Sequence, residues 1–569
     1  MRRLLSVFIS SVILPAAHAD VFYVDIDAPP NGDGSHWNRA FDSLTDALAA
    51  AGAGDQIWVA GGTYKPSTPG GNAATFTIPD GVQVYGGFQG NESTLAQRGD
   101  PLSPLSQLDG GELSYHVVTM SNVGPGTVLD GFQIRLGNAD AGGTTGLGAG
   151  LYATDSAPTI RNVHFLENSA NIRGGGAYLG GSPASFATFI DCVFEDNSSG
   201  LGSAIYSEVP TTVQSCEFED NSDGPAFYIT GDSIQTIDDS TFHQNTGGQA
   251  GAIRVAMDPG GSSIISDCQF TLNNGSLTGG IYYNSYGNHE LRSSRFMQNH
   301  GDSRAGAVTA QLFDGTSSSV RIENSLFTGN TSDSVSGAIV LDFDGDLDII
   351  NSTIVGNTSA TGIGGGVICT KGTARISNSI LWGNQAGTST AQQRQNLWYN
   401  AIANVSANRS IIQYLGLGIS PPSGANNSNT DPLFVDADGN DNSYGTNDDN
   451  VQLMPGSPAI DAGSNLYVGP SVFTDIYGNT RFADDTGTPD TGDAGGLPPV
   501  VDIGAAEFQG TTPSDCLADT NGDGMLSPAD FSAWVAAFNT MAPQCDQNND
   551  GACSPADFSA WVANYNAGC

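Results

Sequence analysis

A short pattern of apolar and polar positions recurs nine times between residues 160 and 384. In every copy an Asn follows one large apolar residue by three positions and another apolar residue by eight. A fixed motif separated by spacers of variable length predicts a solenoid whose loops absorb the insertions. Successive Asn residues lie 24 to 31 positions apart, with a mean of 27: Asn168, Asn197, Asn221, Asn245, Asn273, Asn299, Asn330, Asn357 and Asn384.

The apolar positions predict β-strands, because they are β-branched or aromatic and lie between Gly, Asn and Ser residues. An odd spacing of five would place the two columns on opposite faces of one unbroken strand, so the chain must bend between them. The column nearer to the Asn consists of Phe165, Phe194, Phe218, Phe242, Phe270, Phe296, Phe327, Ile354 and Leu381. The earlier column consists of Ile160, Phe189, Val213, Ile237, Ile265, Leu291, Ile322, Ile349 and Ile376.

The bend is predicted three residues before the Phe column, where Asn and Asp dominate. These residues adopt left-handed backbone angles more readily than other non-Gly residues. The position holds Asn162, Asp191, Ser215, Asp239, Asp267, Ser293, Asn324, Asn351 and Asn378. Each coil is therefore predicted as strand, corner, strand and Asn turn, stacked at about 4.8 Å per coil. This is an all-β parallel β-helix, which we expect over residues 111–415.

The residue after each corner is small, which suits an inward bend. It is Val163, Cys192, Cys216, Ser240, Cys268, Ser294, Ser325, Ser352 or Ser379. Cys192 and Cys216 fall on successive coils, within reach of a disulfide. A stack of buried thiols is the alternative that we favour. The Asn, Phe and small columns are interpreted as structural, and no chemistry is assigned to them.

A second submotif of small residues follows most of the Asn turns. It spans Gly175 to Tyr178, Gly202 to Ile205, Gly251 to Ile253, Gly306 to Val308 and Gly337 to Ile339. Together with the F-x-x-N motif it resembles the repeats of polymorphic outer-membrane proteins. Those proteins are β-helical adhesins, so the resemblance implies an adhesin-like surface role.

The two flanks of the repeat are predicted to cover its ends, because exposed strand edges recruit other chains. Residues 20–110 are predicted as an N-terminal cap and first coils, with a strand over 21–25 and an amphipathic helix over 41–51. This opening resembles that of secreted bacterial right-handed β-helix proteins. Residues 416–508 are predicted as a C-terminal cap. They contain DPLFVD, PGSPAIDAG, DIYGN and DIGAAEF segments that resemble the choice-of-anchor region of bacterial surface β-helix proteins.

A dense acidic stretch lies at the start of the predicted C-terminal cap. It contains Asp436, Asp438, Asn440 and Asp441. Their oxygens suit Ca²⁺, and a solvated acidic loop explains them equally well. Both interpretations stay open.

The strongest chemical signal lies in residues 516–569, after a predicted linker over 509–515. Two twelve-residue segments, DTNGDGMLSPAD and DQNNDGACSPAD, repeat with a period of 27. Calcium loops of this length need oxygens at positions 1, 3, 5, 7, 9 and 12 and a Gly at position 6. The predicted ligands are Asp519, Asn521, Asp523, Met525, Ser527 and Asp530 in the first loop and Asp546, Asn548, Asp550, Ala552, Ser554 and Asp557 in the second. Met525 and Ala552 would contribute backbone carbonyls.

Each predicted loop leads into a helix with an apolar stripe at helical spacing, interpreted mainly as the core of a small module. The stripes are Phe531, Trp534, Val535 and Phe538, then Phe558, Trp561, Val562 and Tyr565. A module of about 54 residues needs stabilisation beyond its hydrophobic core, such as bound metal ions or disulfides. Its four Cys residues allow three pairings, of which we favour Cys516 with Cys569 and Cys545 with Cys553.

The duplicated loop and helix, with Asp at position 12, resemble a type I dockerin. The terminal Gly568-Cys569 resembles the Gly-Cys-ended dockerins of exported planctomycete-type proteins. The resemblance implies a cohesin-like partner and two equivalent docking orientations. Positions 10 and 11, which are usually polar in dockerins, are Pro-Ala in both loops, which puts a conventional cohesin in doubt.

Composition and the N-terminus predict a protein that is exported from the cytosol. Arg2 and Arg3, an apolar stretch from Leu4 to Leu14 and the Ala17-His18-Ala19 site predict a cleaved signal peptide over residues 1–19. The 569-residue chain has 18 basic against 59 acidic residues and a formal charge of -41. Such a charge repels phosphate backbones and anionic lipids, which argues against nucleic-acid binding. No later segment is apolar enough to predict a transmembrane span.

Secreted β-helices include polysaccharide lyases and hydrolases, so catalysis must be weighed. Arg254, Arg292, Arg304 and Arg321 lie in the repeat, but no columnar set of acids accompanies them, and no catalytic residue is predicted. We expect an exported calcium-binding β-helix that binds glycans or acts as an adhesin and is displayed through the dockerin-like module. The alternatives are a docked polysaccharide lyase or glycoside hydrolase and a purely structural surface protein.

Overall fold

The computed structural model describes residues 19–66, 71–182, 184–313, 318–387, 395–414, 422–496, 498–510, 517–518, 520–521, 527–548 and 552–567. The predicted signal peptide, apart from residue 19, lies outside this part of the chain, as does the predicted linker after residue 510. Within the described ranges, none of the helices has the length and apolar character needed to cross a lipid bilayer.

The solenoid is a stack of parallel coils, as the repeat predicts. The first row of strands precedes the corner and consists of Val21–Val24, Gln56–Ala60, Gln83–Phe88, Val128–Arg135, Thr159–Leu166, Ala187–Ile190, Thr211–Gln214, Ile234–Asp238, Ser262–Ser266, Asn288–Arg292, Ser319–Glu323, Asp346–Ile350, Thr373–Ser377 and Asn404–Asn408. Every pairing along this row is parallel.

The second row follows the corner and is hydrogen-bonded in the same 25-stranded sheet. It contains the second halves of Val128–Arg135 and Thr159–Leu166 together with Gly62–Tyr64, Ser106–Asp109, Val193–Glu195, Glu217–Glu219, Thr241–His243, Gln269–Thr271, Arg295–Met297, Leu326–Thr328, Thr353–Val355, Ile380–Trp382 and Ile411–Ile412. A short strand, Asn138–Ala139, follows Gly137. Short strands also follow eight of the Asn turns: Ser169–Ala170, Ser198–Ser199, Thr246–Gly247, Asn274–Gly275, His300–Gly301, Thr331–Ser332, Thr358–Ser359 and Gln385–Ala386.

The third row closes each coil and forms a separate 12-stranded parallel sheet. Its strands are Phe76–Thr77, Val118–Ser121, Leu151–Thr154, Ala177–Gly180, Ile205–Ser207, Phe227–Gly231, Ile253–Met257, Ile281–Ser285, Val308–Leu312, Ile339–Phe343, Val367–Cys369 and Leu397–Tyr399. One antiparallel pair, Phe434–Asp436 with Asn450–Leu453, lies outside the coils.

The predicted corners are confirmed at all nine positions. Each of these non-Gly residues, from Asn162 to Asn378, has a φ between 44° and 54°. A second left-handed position, which the sequence did not reveal, immediately precedes each Asn of the motif. There φ lies between 52° and 66°: Glu167, Asp196, Asp220, Gln244, Leu272, Gln298, Gly329, Gly356 and Gly383.

The Asn and Phe columns form continuous ladders inside the solenoid. Each Asn side chain donates Nδ2 to Oδ1 of the Asn one coil further on, at 2.8–3.0 Å, and the last of them, Asn384, donates to Asn396. The Phe rings from Phe165 to Phe327 stack with neighbouring centroids 4.4–5.0 Å apart. Ile354 and Leu381 continue the column on the next two coils. These columns are structural, as predicted.

The small column is also a hydrogen-bond ladder. The backbone amide of Cys216 donates to Ser240 Oγ at 3.1 Å. The same contact recurs on every coil from Cys268 to Ser379, whose amide donates to Ser410 Oγ. Cys192 and Cys216 are free and buried, so the thiol stack is confirmed and the disulfide is excluded.

The helix predicted at the N-terminal end is shorter than expected. It spans Leu44–Ala50 rather than residues 41–51, because Ser43 accepts a hydrogen bond from the Asp46 amide and caps it. Leu44, Ala47 and Leu48 are buried against the first coils. Short 3-10 turns lie at Trp37–Arg39, Gly71–Ala73, Leu95–Gln97, Gly143–Gly146 and Pro543–Cys545.

The described residues between 431 and 508 lie along the side of the last coils, and we call them the flank segment. Three corner residues bond to it: Asn324 Nδ2 donates to Thr474 O, Asn351 Nδ2 to Asp502 O and Asn378 Nδ2 to Ser464 O, at 2.8–3.2 Å. The outward residues of the second row beneath it are apolar and buried, including Leu326, Val355 and Ile380.

Candidate functional site

The C-terminal module contains two helices, Pro528–Thr540 and Pro555–Ala567, each preceded by a predicted calcium loop. Of the predicted ligands, Asn521, Ser527, Asp530, Asp546, Asn548, Ala552, Ser554 and Asp557 are described. Asp519, Asp523, Met525 and Asp550 lie outside the described residues, as do Cys516 and Cys569.

The position-12 aspartates close the two loops in the same way. Asp557 Oδ1 accepts hydrogen bonds from the amides of Gln547 and Asn548, and Oδ2 accepts one from the Ser554 amide at 2.7 Å. These bonds, the one from Ser554 first, hold the pKa of Asp557 below its usual range. Asp530 makes the matching bonds to the amides of Asn521 and Ser527. The donor set is all oxygen, which is the chemistry that Ca²⁺ requires.

The two halves of the module are joined by reciprocal contacts. Trp534 Nε1 donates to the carbonyl of Cys545, the residue before the second loop, at 3.2 Å. Trp561 Nε1 donates to the carbonyl of Ala518, the residue before the first loop, also at 3.2 Å. Both indoles are buried. The structure also contains the predicted disulfide between Cys545 and Cys553.

The apolar stripes of these helices are only partly core. The pair Phe531 and Val535 and the equivalent pair Phe558 and Val562 are 37–43% exposed. They lie at the rim of the core, which contains Ala518, Trp534 and Trp561, with Phe538 and Tyr565 packed against it. The duplicated stripe therefore leaves an apolar surface on both halves of the module.

A second candidate site lies on the outer face of the third row. One outward column there contains Tyr152, Tyr178, Tyr206, Tyr228, Arg254 and Tyr282, in register on six successive coils. We call this column the tyrosine face. The first four rings are stacked, with neighbouring centroids 5.1–5.7 Å apart, and His116 stacks on the first of them at 4.7 Å. Tyr178, Tyr206 and Tyr282 are only 4–7% exposed, whereas Tyr152, Tyr228 and Arg254 are partly exposed.

One end of the tyrosine face carries a paired charge. Arg173 Nη1 bonds Glu208 Oε1 at 2.8 Å, and the Tyr178 hydroxyl donates to Glu208 Oε2 at 3.2 Å. The Arg173 guanidinium also lies 4.6 Å from the ring centroid of Tyr206. Burial, followed by the Glu208 charge, raises the pKa of Tyr178 to about 12, so its hydroxyl stays protonated and is a donor.

The other end carries a second charged group. Arg304 pairs with Asp342, which also accepts a hydrogen bond from Thr370 Oγ1 at 2.5 Å. Burial alone would raise the pKa of Asp342, but the hydrogen bonds from Thr370 and Arg304 outweigh it and lower the pKa. Asp342 is therefore ionised and paired with Arg304. A paired carboxylate of this kind suits ligand binding better than proton transfer.

Arg254, between these two ends, is different. Its guanidinium lies 4.9 Å from the ring centroid of Tyr228 and 5.8 Å from that of Tyr282. Among the described residues it forms no ion pair, and its buried Nε has no hydrogen-bond partner. An unpaired cation held between two aromatic rings is a ready partner for a ligand carboxylate.

Three of the four solenoid arginines have an acidic partner, although these acids do not form the columnar set that a lyase would need. Arg292 pairs with Glu290, Arg304 with Asp342 and Arg321 with Glu323. Two of these acids lie on the same strand as the arginine, so the sequence columns did not show them. The tyrosine face itself was also missed, although a Tyr after an inward strand residue in five of six coils is a visible signal.

The acidic stretch near residue 436 forms a turn after the strand Phe434–Asp436. The turn is held by Asp448, whose Oδ2 accepts from the Asn440 amide and whose Oδ1 accepts from Thr446 Oγ1. Among the described residues, Asp436, Asp438 and Asp441 do not converge into a three-carboxylate cluster. The Ca²⁺ interpretation of this stretch stays a prediction.

Comparison with known proteins supports the fold. A family described as a right handed beta helix region matches residues 202–398, and one described as protein of unknown function DUF1565 matches residues 30–263. No curated protein matches in sequence.

Three solved structures illustrate the similarity. The pectate lyase Pel9A is 14% identical, with 87% of this chain and 98% of that chain covered and a TM-score of 0.39. A rhamnogalacturonan lyase is 13% identical, with coverages of 74% and 91% and a TM-score of 0.35. The GH87 alpha-1,3-glucanase catalytic unit of Streptomyces thermodiastaticus is 14% identical, with coverages of 73% and 73% and a TM-score of 0.33. With TM-scores below 0.5, these similarities carry no argument about this chain. The parallel coils and the family matches together identify the chain as a right-handed parallel β-helix protein.

Proposed function

We propose that this protein is an exported, calcium-binding β-helix that binds an acidic polysaccharide along the tyrosine face. The observation that carries the proposal is Arg254, an unpaired cation between Tyr228 and Tyr282 in the middle of a ladder of stacked rings. A uronate carboxylate matches the planar fork of a guanidinium. The partly exposed rings of Tyr152 and Tyr228 offer hydrogen bonds and apolar contact to the sugar.

The geometry suits a long ligand. The solenoid presents equivalent groups about every 4.8 Å along its axis, and an extended polysaccharide also repeats along its own axis. A glycan lying along the tyrosine face would meet Arg173 at one end and Arg304 at the other, both held in place by carboxylates. The net charge of -41 opposes a polyanion at long range. Salt screens that repulsion beyond about 8 Å at physiological ionic strength, so the local contacts decide binding.

The experiment is a titration of the mature protein with uronate oligosaccharides and, separately, with neutral xylan and glucan oligosaccharides. Arg254→Gln is expected to weaken uronate binding by about tenfold, because a charged hydrogen bond is worth about 1.5–3 kcal/mol. The matched control is Arg292→Gln, whose arginine lies on the first row and pairs with Glu290. Equal binding by the wild type and Arg254→Gln would refute the proposal.

The same incubations separate binding from catalysis. Reducing ends and unsaturated products are followed with Ca²⁺ present. Turnover of any glycan would replace the binding function with the lyase or hydrolase alternative. If neither binding nor turnover is observed, the result favours the alternative of a purely structural surface protein.

The tandem loops are proposed to bind two Ca²⁺ ions and to dock the protein on a cohesin-like surface receptor. The exposed pairs on the two helices, led by Phe531 and Phe558, provide equivalent apolar contacts for such a partner. Chelation of Ca²⁺ is expected to open the module and to red-shift the fluorescence of Trp534 and Trp561, which are 5% and 6% exposed. The double variant Asp530→Asn, Asp557→Asn should lose this response, and Asp302→Asn, an exposed aspartate of the solenoid, should keep it.

A further inference from the structure

Asp461 belongs to a group of three carboxylates in the flank segment. Its ligand oxygens and those of Asp484 and Asp490 all lie within 4.8 Å of one another. Asp484 and Asp490 are exposed, whereas Asp461 has no solvent exposure. The group is remote in sequence from the tandem loops and played no part in the predictions drawn from the repeat.

Both carboxylate oxygens of Asp461 are buried and without a hydrogen-bond partner among the described residues. Its backbone is fully engaged, because its amide donates to Asp502 Oδ1 at 2.7 Å and its carbonyl accepts from the amides of Thr491 and Gly492 at 2.9 Å. The side chain is therefore held towards the other two carboxylates, and the backbone amide of Asp485 approaches it without meeting hydrogen-bond geometry. Buried carboxylates are normally paired, hydrogen-bonded or bound to a metal.

No described side chain supplies the missing positive charge. Arg481 is the buried arginine of the flank segment, and its Nη atoms donate to the carbonyls of Ala505, Gly504 and Asp502. Its Nε faces Glu507 Oε2 at 3.6 Å rather than Asp461. Asp485, the neighbouring acid, uses its own oxygens on the Gly487 amide and Thr488 Oγ1. Arg409, the other arginine nearby, donates Nη1 to the carbonyls of Ala462 and Thr491. Three carboxylates therefore converge without an ion-pair partner among the described residues.

We propose that Asp461, Asp484 and Asp490 bind a Ca²⁺ ion. Ca²⁺ takes oxygen ligands at 2.3–2.6 Å, so two ligands on one ion lie at most about 5 Å apart. The three carboxylates fit within that span. The ion joins the loop around residues 484–490 to the turn at Asp461, which is packed against the last coils through the bond between Asn378 and Ser464. It thereby fastens the flank segment.

The test uses the full mature chain with the tandem loops silenced by Asp530→Asn and Asp557→Asn. Bound Ca²⁺ is counted by equilibrium dialysis, and thermal unfolding of the solenoid is followed with and without Ca²⁺. One Ca²⁺ is expected to remain bound in this background. Adding Asp461→Asn should remove it, abolish the Ca²⁺-dependent rise in Tm and raise the Tm measured in chelator, because an unpaired buried charge is gone.

Two further variants keep the result decisive. Asp490→Asn changes an exposed ligand without disturbing the core, and it should raise the Kd for Ca²⁺ by at least about tenfold, since even an outer-shell partner costs 10–100-fold. Asp485→Asn is the matched control: it removes one charge from the same loop but no ligand, so it should raise the Kd far less than Asp490→Asn does. If the silenced background binds no Ca²⁺, or if Asp461→Asn and Asp490→Asn bind it as tightly as their parent, the proposal is overturned. The result is independent of glycan binding.

Discussion

Asn221 donates its side-chain amide to Asn245 Oδ1 at 2.9 Å, and both residues have no solvent exposure. The Asn221 backbone amide donates to the same oxygen at 3.2 Å. Asn245 in turn donates to the carbonyl of Phe218 and to Asn273 Oδ1. Each Asn therefore satisfies polar groups of the coil before it and the coil after it, so that the ladder joins neighbouring coils.

Replacing Asn245 with Ala removes one rung from the middle of this ladder. The Phe218 carbonyl and the Asn273 side chain then lose a buried partner, and each buried unsatisfied group costs about 1–3 kcal/mol. We expect a large fall in Tm and faster amide hydrogen exchange in the adjacent coils, because a solenoid is stabilised by contacts between neighbouring repeats. Thr246→Ala, at the exposed next residue, should change little. An unchanged exchange pattern in Asn245→Ala would contradict a structural role for the ladder.

Two glycines test how the flank segment is attached. Gly356 and Gly383 have the same φ of 66°, so Ala at either position adds a similar backbone strain of about 1–2 kcal/mol. A Cβ at Gly356 would approach Tyr444 Cγ to 2.1 Å, whereas at Gly383 the nearest atom is the Tyr444 hydroxyl at 3.4 Å. Gly356→Ala should therefore release the flank segment to limited proteolysis, and Gly383→Ala should not. Equal protection in the two variants would mean that Tyr444 does not hold this segment.

Buried His289 makes the solenoid sensitive to acid. Burial lowers its pKa to about 4, below the usual 6.5. In the neutral ring Nε2 donates to the Tyr286 carbonyl at 2.9 Å, and Nδ1 accepts from Ser263 Oγ. Between pH 6.5 and 4 this histidine binds more protons in the unfolded chain than in the folded one. The stability contributed by neutral His289 is therefore complete above pH 6.5 and is lost as the pH falls towards 4.

The shift corresponds to about 3 kcal/mol at the acid end of the window. His289→Gln should flatten the decline in stability between pH 6.5 and 4, measured as Tm against pH. His36→Gln, in which an exposed histidine is removed, should retain it. The prediction fails if both variants follow the wild-type curve.

The number of free thiols can be measured with a thiol reagent. Cys192, Cys216, Cys268 and Cys369 are free and buried, and burial raises the pKa of the Cys369 thiol to about 12. A thiol reagent should therefore label no solenoid cysteine in the native protein. After denaturation without reductant it should label four thiols if the predicted Cys516–Cys569 disulfide is present, and six if that bond is missing. Labelling of the native solenoid would contradict the thiol stack.

The amino-acid sequence by itself determined the coil. The Asn, corner and Phe columns are set by contacts between equivalent residues of neighbouring coils, so the local motif carries the information. The sequence also shows the outward residues of the second row changing from polar, as in Glu217 and Glu219, to apolar, as in Leu326 and Ile380. The segment that covers these residues lies elsewhere in the chain.

Only the tertiary structure decided which distant segments meet. The flank segment covers the apolar outward residues because Gly329, Gly356 and Gly383 leave room for Tyr444. Arg254 is unpaired because the coils place tyrosines, rather than acids, on either side of it. Asp461 meets Asp484 and Asp490 through loops that follow no repeat. Such contacts depend on irregular spacers, whose paths are set by packing and not by a local pattern of residues.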